Sequence, residues 1–149
     1  DGGNEYIISR IESLKKSIDT PIMIRPSLGF RDYHGFVWAI SNQLGGAILG
    51  NSSSGIKESP IFSCPVVNIG PRQDGRLRAS NVIDVGFDKE EIKEATLSCL
   101  FDEDFLMKCK GSVNPYGKGK TAKLVADFLE NLELSEKLCV KKWCDHEPV

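Results

Sequence analysis

The chain has 149 residues, 40% of them hydrophobic and 27% charged, which is the size and composition of one ordinary water-soluble domain. Nineteen basic against twenty-one acidic side chains leave a formal charge of -2, so no global pull toward nucleic acid or an anionic membrane exists. No stretch of eighteen apolar residues and no basic-then-apolar leader occurs, which argues against a helical membrane span and a visible export signal.

Asp1-Gly2-Gly3-Asn4 stands without Met directly before a helical pattern, and a processed or truncated piece is expected. Tyr6, Ile7, Ile11, Leu14 and Ile18 then recur at helical spacing, with Asp1 or Asn4 as N-cap and Lys15-Lys16 near the C-terminal end. Thr20-Pro21 ends this helix, and Ile22-Met23-Ile24, bounded by prolines, is a candidate buried strand. A second helix is predicted over 32–43, then Gly45-Gly46 and the apolar run Ala47-Ile48-Leu49. A third helix starts among Ser52 to Gly55 and runs toward Phe62. The runs Val66-Val67-Asn68-Ile69 and Val82-Ile83-Asp84-Val85 read as strands, separated by the polar stretch 70–81. Helices follow over 88–99, 103–110 and 118–131, with a last amphipathic segment at 134–143.

Short apolar runs alternating with helices, without the polar alternation of a one-sided sheet, indicate an α/β fold: a parallel sheet with helices on both faces. No internal repeat or second boundary is visible, so 1–149 reads as a single domain. Cys64, Cys99, Cys109, Cys139 and Cys144 are odd in number and widely spread, which fits reduced thiols in a cytoplasmic protein.

In such a sheet, ligands bind at the carboxyl ends of the strands, where each loop turns into its helix. Residues 47–56 have that arrangement. Ser52, Ser53 and Ser54 offer hydroxyls, Ser54 and Gly55 offer backbone N–H donors, and the helix start offers partial positive charge; together these suit a diphosphate. The plain alternative is helix capping, for which one serine suffices. Glu58, one turn on, has the two carboxylate oxygens needed to accept from both hydroxyls of a ribose, or merely complements the helix dipole. Arg72, in a strand-end loop that also carries Arg76 and Arg78, could set a guanidinium on a phosphate or over a base; an exposed basic loop is the bland reading.

The strings NSSSGIKESP (51–60), CPVVNIGPRQDGRLRASNVIDVG (64–86) and NPYGKGKTAKLVADFL (114–129), in that order, resemble the C-terminal half of UDP-N-acetylglucosamine 2-epimerases, in particular the hydrolysing type that feeds sialic-acid synthesis. The likeness runs from Asp1 through Phe128. It implies a Rossmann-like domain, the C-terminal half of a two-domain GT-B architecture truncated at its start, that closes with an N-terminal domain over a UDP-sugar. Carried over by position, the resemblance makes Ser52 and Ser53 diphosphate contacts, Glu58 the ribose contact and Arg72 a nucleotide-side contact. It also implies hydrolytic epimerisation: UDP is eliminated to leave a 2-acetamidoglucal-like intermediate, and water adds to give N-acetylmannosamine. The acid/base carboxylates belong to the N-terminal domain, so no catalytic residue is assigned in this chain and the piece alone is expected to be inactive. No cofactor or metal is expected, and a homo-oligomer stays open. The segment around Ser41 to Gly46 is several residues longer than is usual for the family, and the tail 134–149 is only loosely family-like.

Other features are weaker. NPYGKGKT (114–121) nearly spells a P-loop but follows a polar, helix-like segment instead of a buried strand. Cys139, Cys144 and His146 form only half of a zinc pattern. His34 reads as a packing or surface histidine, and Phe36 and Trp38 as core or interdomain contacts. Asn51-Ser52-Ser53 is formally a glycosylation acceptor, expected to stay unmodified. Two rivals remain: a GT-B glycosyltransferase, disfavoured by PRQDGRLRASNVIDVG, and a non-catalytic UDP-sugar-binding module.

Overall fold

A computed structural model of the chain describes residues 4–117 and 119–135. The chain divides into two compact units, residues 1–36 and 37–149. The first holds helix α1 (Asn4–Ser17) and the start of α2 (Gly29–Ala39). The apolar positions Tyr6, Ile7, Ile11 and Leu14 of α1 stay exposed. The strand expected at Ile22-Met23-Ile24 does not form: the segment is irregular and Met23 is 77% exposed. Three residues between prolines have neither the length nor a neighbouring strand to satisfy their backbone groups. His34 packs edge-on against Phe30, with ring centroids 4.3 Å apart, in keeping with a packing histidine.

The second unit is built on a parallel three-stranded sheet in the order β1 (Ile48–Gly50), β2 (Val66–Ile69), β3 (Val82–Val85). Its register aligns Ile48 with Val66 and Val82, and Gly50 with Asn68 and Asp84. Because side chains alternate across a strand, Val66 and Val67 point to opposite faces. Val67 packs with Ala95 and Cys99 of α4 (Lys89–Phe101), joined by Ile69, Ile83, Val85 and by Phe105 of α5 (Glu103–Lys110). On the Val66 face lies α3 (Ser53–Lys57). A Cβ on Gly55 would fall 3.1 Å from Val66 Cγ1, so the missing side chain sets the close approach of α3 to the sheet.

Helix positions follow their local chemistry. Asp88 caps α4 by accepting from the amides of Glu90 and Glu91, and Asp102 caps α5 through Phe105. The helix expected to run on toward Phe62 instead stops at Lys57 and resumes as a 3-10 turn over Ser59–Phe62, with Pro60 at its start. Ile40–Leu44 forms a π-helical turn ending on Gly45 with φ of 64°. Phe36 and Trp38 remain about half exposed and are not core residues. Helix α6 (Thr121–Glu130) is shorter at both ends than its sequence pattern. Lys118, the tail beyond 135 with Cys139, Cys144 and His146, and Asp1 as a cap lie outside the described residues. Among the described residues, no helix is long and apolar enough to cross a membrane.

Candidate functional site

The carboxyl ends of β1 and β2 each lead into a short polar turn, and the two turns are hydrogen-bonded to one another. After β1, Asn51 is exposed and Ser52 adopts the extended conformation of an N-cap, with φ of -74° and ψ of 144°. Its Oγ accepts from the Ser54 amide at 3.4 Å and lies 3.1 Å from Ser54 Oγ. The Gly55 amide donates to the Ser52 carbonyl at 3.2 Å. Ser52 therefore performs the capping, Gly55 spends its amide within the turn, and capping does not account for Ser53. Glu58, half-buried, closes α3, its amide donating to the Ser54 carbonyl at 3.0 Å.

After β2, Gly70 takes φ of 76° and Pro71–Gln73 forms a 3-10 turn carrying Arg72. A Cβ at Gly70 would stand 2.5 Å from the Phe87 ring, so both conformation and space call for glycine. Gln73, 3% exposed, donates from Nε2 to the Asn51 carbonyl at 2.7 Å, and Arg72 Nη1 donates to Asn51 Oδ1 at 3.5 Å. Arg72 is thus brought next to the serine turn, twenty residues away in sequence.

Below this junction, on the face of the sheet that Val66 occupies, sits a polar row. Gly50, Asn68 and Asp84 are in register across the three strands. Asn68 Nδ2 donates to Asp84 Oδ1 at 2.6 Å. Arg78 grips the same carboxylate, Nε to Oδ2 at 3.1 Å and Nη2 to Oδ1 at 3.0 Å, while its Nη1 donates to the carbonyls of Gln73 and Arg76 at 2.7 and 2.6 Å. Burial pushes the Asp84 carboxyl up, but its hydrogen bonds from Arg78 and Asn68 outweigh that and hold it below the usual carboxylate range. The bonds to Asp84 raise Arg78 further. The signal was present in the sequence: Asn and Asp stand at the same position of two otherwise apolar runs, VVNI and VIDV. Of the three loop arginines, Arg78 has a structural partner and Arg72 faces the turn.

The P-loop-like segment follows helix α5 and not a strand. Asn114 donates to the Lys57 carbonyl at 2.9 Å and Tyr116 donates from its hydroxyl to the Leu77 carbonyl at 3.1 Å, so this segment ties the end of α3 to the loop after β2. A cavity of about 530 Å³ beside Pro60, Ile61, Val113 and Asn114 includes none of the six nominated site residues. Among the described residues, no three His, Cys, Asp or Glu side chains group as a metal site.

A parallel sheet flanked on both faces, with polar βα turns gathered at its carboxyl edge, defines a Rossmann-like α/β domain. Residues 1–130 match the family described as UDP-N-acetylglucosamine 2-epimerase, and the chain belongs to that family. Among its relatives, polysialic acid biosynthesis protein P7 of Escherichia coli is 36% identical over 88 residues, covering 56% of this chain and 22% of that protein. The UDP-N,N'-diacetylbacillosamine 2-epimerase (hydrolyzing) of Legionella pneumophila is 40% identical over 94 residues, 63% of this chain and 24% of its own length. The GDP/UDP-N,N'-diacetylbacillosamine 2-epimerase (hydrolyzing) of Campylobacter jejuni is 54% identical over 55 residues, 32% of this chain and 14% of its own. The chain therefore spans less than a quarter of the length of each of these relatives.

Proposed function

We propose that this chain is the UDP-binding domain of a hydrolysing UDP-N-acetylglucosamine 2-epimerase, acting with a further domain of the same enzyme to release N-acetylmannosamine and UDP. The observation that carries this reading is the junction at Asn51, where Arg72 and the Ser52–Ser54 turn meet at the carboxyl edge of the sheet. The relatives named as hydrolysing epimerases support the hydrolytic outcome, and the one named for polysialic acid biosynthesis supports the sialic-acid setting. Unpaired thiols at Cys64, Cys99 and Cys109 suit the cytoplasm.

In this scheme the domain serves the leaving group. Loss of UDP from the sugar develops negative charge on the diphosphate, and a guanidinium with hydroxyl donors stabilises it. Ser53 and Ser54 donate to the diphosphate, Arg72 supplies the cation, and Glu58 accepts from the ribose hydroxyls. The base that takes the C2 proton comes from the other domain. Two relatives are named for N,N'-diacetylbacillosamine, which makes the 2,4-diacetamido sugar the second reading of the substrate.

Titrating the chain with UDP tests the binding half, with Glu58→Gln expected to weaken affinity about 3- to 10-fold through loss of one acceptor charge. No binding by the unmodified chain at about 10 mM UDP, an affinity below any specific site, overturns the reading. Release of N-acetylmannosamine by the 149 residues alone overturns the division of labour between domains.

A further inference from the structure

Resting on the reading that Arg72 and the Ser52–Ser54 turn hold a nucleoside diphosphate, we propose that Arg78, clamped to Asp84, is the positioning residue that fixes Arg72 in that site. The loop that carries Arg72, residues 70–81, has two glycines at positive φ, Gly70 and Gly75, and crosses from β2 to β3 without a helix of its own beyond one 3-10 turn. Its internal backbone bonds are few: Asp74 to Pro71 at 3.0 Å and Arg76 to Gln73 at 3.3 Å. Left to itself such a segment samples many conformations, and binding an anion through it would cost the entropy of ordering it.

Tyr116 and Ser80 anchor the far part of the loop, at the Leu77 and Lys108 carbonyls, and Arg78 removes the freedom of the part that carries Arg72. Nε and Nη2 are fixed on the Asp84 carboxylate, which strand β3 holds in register with Asn68, and Nη1 pins the Gln73 and Arg76 carbonyls. With the Gln73 carbonyl held, its side chain reaches the Asn51 carbonyl at 2.7 Å, and the adjacent Arg72 sits beside Asn51 Oδ1. The chain of contacts runs unbroken from the sheet to the serine turn. Only a planar guanidinium spans a carboxylate and two carbonyls at once; a lysine ammonium serves one or the other. Four of the five N–H groups of Arg78 are thereby directed at protein acceptors, so it buttresses the site and does not itself receive the phosphate.

The sign of one substitution separates positioning from a simple field effect. Asp84→Asn removes a negative charge, and by electrostatics alone it would tighten binding of an anion. If Asp84 acts by holding Arg78, the same change weakens binding. Calorimetric titration of the full chain with UDP is therefore expected to show Arg72→Ala weakened about 10-fold or more, Arg78→Met about 10-fold and Asp84→Asn about 3-fold or more. The double variant Arg72→Ala/Arg78→Met should bind no more than about twofold weaker than Arg72→Ala alone, because Arg78 acts only through Arg72. Tighter or unchanged binding by Asp84→Asn, unchanged binding by Arg78→Met, or additive losses in the double variant overturns the proposal. If Arg78→Met has no melting transition, Arg78→Lys takes its place with an expected loss of about 3-fold, and unchanged binding there overturns it equally. Unchanged affinity in Arg72→Ala instead brings down the site reading itself, whatever Arg78 does.

Discussion

The two ends of the sheet each bury an asparagine, and they treat it differently. At the amino-terminal end Asn81, 0% exposed, is fully matched: Nδ2 donates to Ser59 Oγ at 2.8 Å and to the Cys64 carbonyl at 2.6 Å, and Oδ1 accepts from Ser112 Oγ at 3.4 Å. At the carboxyl end Asn68, 1% exposed, has its Nδ2 on Asp84, but its Oδ1 is buried without a partner, as is Oε1 of Gln73 nearby. A matched buried amide locks a scaffold, whereas an unmatched acceptor keeps a cost in place. The contrast separates an end of the sheet whose buried amide is fully matched from one that keeps buried acceptors unmatched.

The largest effect expected from that contrast is at Asn81. Asn81→Ala removes the donor to the Cys64 carbonyl and to Ser59 Oγ and the acceptor of Ser112 Oγ, and should destabilise the fold by about 3 kcal/mol or more, lowering Tm by roughly 6–12 °C in a thermal melt. A loss below about 1 kcal/mol would remove the distinction between the two ends. Gly70→Ala should come next, at about 1–2 kcal/mol, because a positive φ is imposed on alanine and the exposed Phe87 ring must swing aside. It should also weaken UDP binding, since Pro71 and Arg72 follow directly.

Asn68→Ala should cost only about 1 kcal/mol, since it deletes an unpartnered oxygen together with the bond to Asp84. A chemical-denaturation series in which Asn68→Ala is as damaging as Asn81→Ala sinks the comparison. The smallest effect at neutral pH concerns the thiols. Burial pushes Cys64 and Cys99 up to about 12 and Cys109 to about 11. Their folded values lie above the unfolded one, so the unfolded chain loses its thiol protons first as pH rises. The thiols' contribution to stability should be flat below pH ~8.5 and fall between pH ~9 and ~12. In a Cys139→Ser/Cys144→Ser background, a thiol reagent at pH ~8 should label nothing until the chain is denatured.

Much of the scaffold could be read from residue order. The runs Val66–Ile69 and Val82–Val85 form the strands expected of them, and Glu103–Lys110 is the helix expected at 103–110, because apolar runs between polar turns and an Asp cap are local signals. Ile22-Met23-Ile24 failed because a strand exists only if another strand lies beside it, which no local pattern reports. At the carboxyl edge of the sheet, the placement of Ser52, Ser53, Glu58 and Arg72 in strand-end turns was legible from sequence. Asn68 and Asp84 left a mark as the polar third residue of two apolar runs, but their partners, and the roles of Gln73 and Arg78, arise from register and from bonds between residues up to twenty-two positions apart.

What the order of amino acids determined here is the class of fold and the family, because hydrophobic period, capping residues and an ordered set of motifs are written along the chain. What only the tertiary structure decided is which arginine lies beside the Asn51 turn and which is clamped to the sheet. Arg72 and Arg78 stand six residues apart in one polar loop, with the same charge and the same neighbours in kind. Their difference comes from an aspartate on the far strand, whose distance in space sequence does not encode.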